Sequence, residues 1–223
     1  MSEHTQLPTP PGRAMLLTLG LVSTLCGILI VTAYEGTLEA VTANKRIALE
    51  RAVLKVLPGA ASMRAYHASA TELTAEGSPV PEGAVKFYAA FDAKGKLKGV
   101  AAEGAASGYA DIVRVLYAWD PEKQAIIGFG VVSHRETPGI GDKIITDPHF
   151  LKNFAALDTR LDANGKALAQ PIKTVKHGTK VNAWEIDAIS GATVTSKAVG
   201  RGINNSAQQL IPWLVPHLQE IRP

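Results

Sequence analysis

What this chain lacks narrows it first. It has one cysteine, Cys26, and that residue lies inside an uncharged apolar stretch. A disulfide and a cysteine-ligated iron–sulfur cluster are therefore excluded within the chain. The six histidines are scattered without metal-ligand spacing, so no metal site is expected. No Gly-x-Gly-x-x-Gly fingerprint follows a strand, which argues against a nicotinamide dinucleotide site. The net charge is only +3 and the charges are interspersed, so nucleic acid is not an indicated partner. No internal repeat or low-complexity tract is visible.

What is present begins with the apolar stretch itself. Residues Ala14 to Tyr34 carry no charge and are dominated by Leu, Val, Ile, Ala and Gly. As a helix they would span roughly 30 Å, the thickness of a bilayer's hydrocarbon core. Thr18, Ser23, Thr24 and Thr32 interrupt the run, but their hydroxyls can bond back to helix carbonyls. The stretch is longer than a signal-peptide apolar region, and Leu25 before Cys26 does not suit a lipoprotein signal. The reading is a retained single-pass anchor. Arg13 precedes the span, whereas Glu35 and Glu39 follow it, which favours a cytoplasmic N-terminus.

Four segments follow from this reading: a cytoplasmic tail over 1–13, a transmembrane helix over 14–34, a stalk helix and linker over 35–84, and a single domain over 85–223. The 223 residues leave room for one domain with a substantial core. Leu38, Val41, Leu49, Val53, Val56 and Leu57 give an apolar stripe over Gly36–Leu57, ended by Pro58-Gly59. Residues 60–83 are less patterned. Strands are expected over Val85–Ala93, Leu97–Ala102, Asp111–Trp119 and Ala125–Val132, the last two as a hairpin. In the third, Ile112, Arg114, Leu116 and Ala118 fall on one side and Val113, Val115, Tyr117 and Trp119 on the other. A helical piece is expected over Pro148–Leu157 and a short strand over Trp184–Ile189. Helices over Ser196–Gln209 and Pro212–Ile221 close the chain. The fold class is α+β: a transmembrane helix, then a small, mostly antiparallel sheet with packed helices.

Two segments carry the chemistry. Ser190-Gly191-Ala192-Thr193-Val194-Thr195-Ser196 packs four hydroxyls into seven residues before a helix. Its small residues permit close approach, its hydroxyls can bind or carry a phosphate, and a helix N-terminus favours an anion. The competing reading is that Ser190, Thr193 or Thr195 merely caps the helix. Upstream, Glu136-Thr137-Pro138-Gly139-Ile140-Gly141 holds a Pro-Gly turn. Glu136 and Thr137 offer polar groups to a ligand there, and Gly141 lets a flat ring approach.

The string Ser-Gly-Ala-Thr-Val-Thr resembles the attachment motif of the FMN-binding domain family. The G subunit of the Rnf electron-transport complex and the C subunit of the sodium-pumping NADH:quinone reductase contain that domain. The segment from His134 to Gly141 resembles a second family signature, with Ile140 where Leu is usual. Ser107-Gly108-Tyr109 is a third, weaker match, in which Tyr109 reads equally as core or ring contact. The resemblance implies FMN held by a phosphoester on Thr195, with Thr193 and Ser196 as competitors. It implies further flavin contacts at Ser190, Gly191, Ala192, Thr193, Glu136, Thr137, Gly139, Ile140 and Gly141.

The resemblance also implies partners: Rnf-type membrane subunits carrying iron–sulfur clusters and flavin, and a separate flavin transferase that uses FAD for maturation. It places the domain in the periplasm of a bacterial inner membrane. The implied role is an electron-transfer subunit of a redox-driven ion translocase coupling ferredoxin and NAD, without catalytic activity of its own. Other readings are a component like the quinone reductase's C subunit, a non-redox assembly module with a vestigial flavin site, or a flavin reductase of soluble substrates.

Overall fold

A computed structural model of the chain describes residues 12–223. The Pro-rich start, Leu7 to Pro11, and with it nearly all of the expected tail, lies outside the described residues. Two compact units divide the chain, Met1–Ala48 and Leu49–Pro223.

The first unit is helical. Helix α1, Gly12–Val56, includes an 18-residue window of mean hydropathy 2.4, long and apolar enough to cross a membrane. Two of the four polar interruptions, Thr18 and Ser23, behave as expected. The hydroxyl of Thr18 donates to the Ala14 carbonyl at 2.9 Å, and that of Ser23 to the Leu19 carbonyl. Each therefore hides its polarity inside the helix. The stretches read as span and stalk both fall within helix α1.

The second unit is built on a seven-stranded antiparallel sheet. Its strands are β1 (Ser62–Ala68), β2 (Leu73–Ala75), β3 (Val85–Phe91), β4 (Leu97–Ser107), β5 (Ile112–Asp120), β6 (Ala125–Ser133) and β7 (Leu157–Asp158). Their order is β2-β1-β3-β4-β5-β6-β7. A separate parallel pair joins β8 (Lys173–Val175) to β9 (Glu185–Asp187). Short helices α2 (Lys143–Thr146) and α3 (Pro148–Lys152) precede β7, with a 3-10 turn over Asn153–Ala155. Helix α4, Thr193–Leu214, follows β9.

Both faces of the sheet are buried, as the alternation of β5 foreshadows. Val113, Val115, Tyr117 and Trp119 join one core with Ile203, Leu210 and Leu214 of α4. Leu116 and Ala118 join the other, with Val53 and Val56 of the last turns of α1 and Leu57 beyond it. Backbone meets backbone where α4 crosses β4. A Cβ on Gly104 would lie 2.5 Å from the Gly202 carbonyl oxygen, and one on Gly202 would lie 3.0 Å from Ala105 N. Two glycines therefore set the depth at which α4 sits on the sheet.

Two expectations need correction. Residues 60–83, read as unpatterned linker, contain β1 and β2, and β1 pairs along its whole length with β3, from Ser62↔Phe91 to Ala68↔Val85. Alanines do much of the burying there, Ala65 and Ala68 beside Tyr66, so the apolar signal is faint. The closing helices also divide at a different place. Helix α4 runs through Pro212 to Leu214 and passes into a 3-10 helix over Val215–Glu220. Proline costs a helix its bond to the residue four back. Here that loss falls in the last turn, where buried Leu210, Ile211 and Leu214 hold the helix to the core.

Candidate functional site

The site forms where three loops at one end of the sheet meet the start of α4. After β4, Gly108 and Asp111 close a tight turn, with Gly108 N–H donating to the Asp111 carbonyl at 2.8 Å. After β6, Thr137-Pro138-Gly139-Ile140 forms the expected turn. Ile140 N–H donates to the Thr137 carbonyl at 3.2 Å, and Gly139 has φ 75°. After β9, Ile189-Ser190-Gly191-Ala192 turns the same way. Ala192 N–H donates to the Ile189 carbonyl at 3.1 Å, and Gly191 has φ 81°. Both turns place glycine where positive φ is required.

Glu136 ties the first two loops together. Its side chain is buried, with the residue only 4% exposed. Oε1 accepts from Tyr109 N–H and Ala110 N–H, each at 3.0 Å, and from Asp111 N–H at 3.5 Å. Oε2 accepts the Thr195 hydroxyl and also lies 3.2 Å from Tyr109 N. Burial alone would push this carboxyl up. The hydrogen bonds from Thr195 and from the backbone N–H groups of Ala110, Tyr109 and Asp111 outweigh it and hold the group below its ordinary value. Glu136 is thus a carboxylate at neutral pH.

Two glycines make room for this pair. A Cβ on Gly108 would strike Glu136 Oε1. One on Gly141 would lie 2.6 Å from Glu136 Cβ and 3.2 Å from Thr195 Oγ1. Gly141 is expected to admit a flat ring; in the fold its missing Cβ also clears the Glu136–Thr195 contact.

The four hydroxyls of the attachment segment have separate fates. None caps α4: the N-cap is Ala192, with no side-chain hydrogen bond to the first turn. Ser196 is fully buried and occupied, accepting from Ile189 N–H at 3.1 Å and donating to the Ala192 carbonyl at 2.9 Å. It welds the turn to the helix. Ser190 is exposed, and Thr193 is half-buried. Thr195 is 2% exposed, and its hydroxyl is the one paired with a carboxylate.

An open cleft of about 550 Å³ lies over the pair. Of the sequence-predicted residues, Glu136, Thr137, Ile140, Gly141, Gly191, Ala192, Thr193 and Thr195 line it; Ser190 and Gly139 do not. Gly139 instead shapes the turn that presents Ile140. The cleft adds one wall that the motifs do not assign, Val194, at the variable position of the attachment motif, and includes Tyr109 of the third, weaker match. Tyr109 is 75% exposed and so is not a core residue. Among the described residues no group of three or more His, Cys, Asp or Glu side chains could hold a metal ion.

The neighbouring charges are turned to other work. The Asp187 carboxylate accepts Gly178 N–H at 2.7 Å, and its backbone exchanges two bonds with the Asn153 side chain. It braces the loop before the turn and does not cap α4. Lys197 lines a separate depression with Lys173 and Arg201.

The donor set suits a flavin phosphate. Thr193, Val194 and Thr195 form the first turn of α4, whose N–H groups lack carbonyl partners within the helix, and all three residues line the cleft. Thr195 adds a hydroxyl at the cleft floor. The exposed apolar side chains of Ile140 and Val194 and the ring of Tyr109 offer surfaces for a flat heterocycle.

Comparison with known proteins gives the same direction. The model of a family described as "FMN-binding domain" matches residues 108–208, which contain all three loops of the site. The G subunit of the ion-translocating oxidoreductase complex of Cereibacter sphaeroides is 31% identical over 211 residues, covering 89% of this chain and 88% of that protein. The G subunit of the Na(+)-translocating ferredoxin:NAD(+) oxidoreductase complex of Acetobacterium woodii is 33% identical over 159 residues, covering 69% and 70%. Among solved structures, NqrC of Shewanella oneidensis superposes with a TM-score of 0.57 at 25% identity, covering 73% of this chain and 91% of that one.

Proposed function

This chain belongs to the family of G subunits of the ion-translocating oxidoreductase complexes and carries that family's FMN-binding domain; from that premise we propose that it is a membrane-anchored electron relay whose FMN is esterified to Thr195. The observation that carries the proposal is the Thr195 hydroxyl, buried at the floor of the cleft, beside an uncapped helix N-terminus and against Glu136. Of the two competing hydroxyls in the segment, that of Ser196 is consumed within the fold, and that of Thr193 has no carboxylate partner.

FMN supplies one-electron redox chemistry when bound. The chain's residues do the rest. The N–H groups of Thr193, Val194 and Thr195 offset phosphate charge. Glycines 108 and 141 leave room for Glu136 to reach Thr195. Tyr109, Ile140 and Val194 would offer surfaces to the ring in an open cleft, which suits electron exchange with a neighbouring protein of the complex. A covalent tether prevents loss of the cofactor from so open a site. The relay serves other subunits of an Rnf-type complex, which carry iron–sulfur clusters and flavin, and a flavin transferase installs the cofactor from FAD. The anchor lies in the bacterial inner membrane, with the N-terminus cytoplasmic and the flavin domain periplasmic. The relay is tested by following this flavin's absorbance during turnover of the assembled complex. Cyclic reduction and oxidation at the turnover rate is expected; a flavin that stays in one redox state while the complex turns over would contradict it.

A further inference from the structure

The contact between Glu136 and Thr195 suggests a role for Glu136 beyond lining the cleft. Thr195 sits on the first turn of α4, where a threonine hydroxyl commonly bonds back to a helix carbonyl. Ser196, one residue on, does so. Thr195 does not: its proton points away from the helix backbone, at Glu136 Oε2. With 2% of the residue exposed, solvent is a poor alternative acceptor. The two carboxylate oxygens also divide their work. Oε1 takes the backbone N–H groups of Tyr109, Ala110 and Asp111, leaving Oε2 to face the hydroxyl.

We propose that Glu136 is the base for this chain's own flavinylation, accepting the Thr195 proton as the phosphoester forms. The inference rests on the covalent reading above and deepens it. The donor is FAD, a flavin dinucleotide with a pyrophosphate link. Thr195 Oγ1 attacks the phosphorus on the flavin side. The Oγ1–P bond forms, the P–O–P anhydride bond breaks, AMP leaves with the bridging oxygen, and the hydroxyl proton passes to Glu136 Oε2. No oxidant or reductant is needed. The acceptor protein thereby contributes an acid–base group to a reaction that the transferase alone is otherwise taken to run. A hydroxyl in contact with a carboxylate is a better nucleophile than its neighbours, so the contact also explains selection of Thr195 over Thr193.

A carboxylate held below its ordinary pKa is a modest base for a free alcohol. The alcohol becomes strongly acidic only as its oxygen bonds to phosphorus, and a base already in contact takes the proton then. The titratable groups around Glu136 are few. His134 Nδ1 accepts Glu136 N–H at 3.2 Å, Tyr109 and Asp111 lie in the turn after β4, and Arg135 is 3.6 Å from Asp111. On α4, Arg201 donates to the Ser107 carbonyl, and Lys197 lines the separate depression.

The test is a single-turnover assay on the full chain in detergent, with purified flavin transferase and FAD, read by intact mass and by flavin fluorescence of the denatured band. The key variant is Glu136→Gln. Its remaining carbonyl oxygen can still accept the three backbone N–H groups, while the amide nitrogen facing Thr195 cannot accept a proton. At pH 7 the variant is expected to flavinylate about 10²- to 10⁴-fold more slowly than wild type. The ratio of wild-type to variant rate should then fall as pH rises and hydroxide substitutes for the base; taking a ratio cancels the transferase's own pH dependence. A Gln variant that reacts at the wild-type rate overturns the proposal. So does a slowed variant whose ratio to wild type does not change with pH, since that marks a purely structural role. Glu136→Asp covers misfolding of the Gln variant. It should react with the pH profile of wild type at a reduced rate, and a hydroxide-dependent profile in Asp overturns the proposal. Failure of wild type itself to gain mass overturns the covalent reading, and is thereby distinguishable from failure of the base.

Discussion

Glu136 is where charge, burial and chemistry meet in one residue, and its consequences can be measured without a cofactor. Its carboxyl is held below the ordinary 4.5 in the folded chain, so the unfolded chain binds its proton more readily. The stabilisation is complete above about pH 4.5 and is lost as pH falls through the lower folded value. Acid titration of thermal stability should show this loss in the apo protein, and Glu136→Gln should remove that part of the pH dependence. Ser196 and Thr195 then separate structure from function one residue apart. Ser196→Ala leaves the buried Ile189 N–H unpaired and should cost about 1–3 kcal/mol while retaining covalent flavin. Thr195→Ala should lose the flavin. The motifs were legible in the sequence as two separate segments, each readable as a turn or a cap. The hydrogen bond joining residues 136 and 195 was not, because nothing in either segment encodes the distance between them.

At the scale of elements, glycine placement decides how deeply α4 seats and whether Glu136 can reach Thr195. Gly104→Ala puts a methyl group against the α4 backbone at Gly202, which cannot yield as a flexible side chain would. An overpacking cost of about 1–3 kcal/mol is expected, read as a lowered denaturation midpoint with an unchanged slope. The central hairpin was legible because β5 alternates cleanly between two buried faces. Strands β1 and β2 were not, because small side chains do much of the burying in β1 without an apolar pattern, and β2 is three half-buried residues paired to β1. The continuation of α4 through Pro212 was hidden for a similar reason. Local propensity ends the helix, and packing of Leu210, Ile211 and Leu214 extends it.

For the whole molecule, the anchor and the proposed covalent cofactor serve one end: the proposed relay could neither drift from its membrane complex nor shed its flavin. The anchor was legible from composition, and the long α1 confirms a helix sufficient to cross a bilayer. Its orientation rests on a few charges flanking the span. In a Cys26→Ser background, Asn164→Cys in the exposed turn before Gly165 should react with a membrane-impermeant maleimide in intact spheroplasts. Labelling only after lysis would reverse the topology. The most direct test of the central claim is peptide mass spectrometry of the tryptic fragment covering residues 181–197, from wild type and Thr195→Ala co-produced with a flavin transferase. The account predicts that the wild-type fragment gains the mass of one FMN less water, localised to Thr195, and that the mutant fragment is unmodified. An unmodified wild-type fragment, or flavin retained on Thr193 or Ser196 in the mutant, would contradict it.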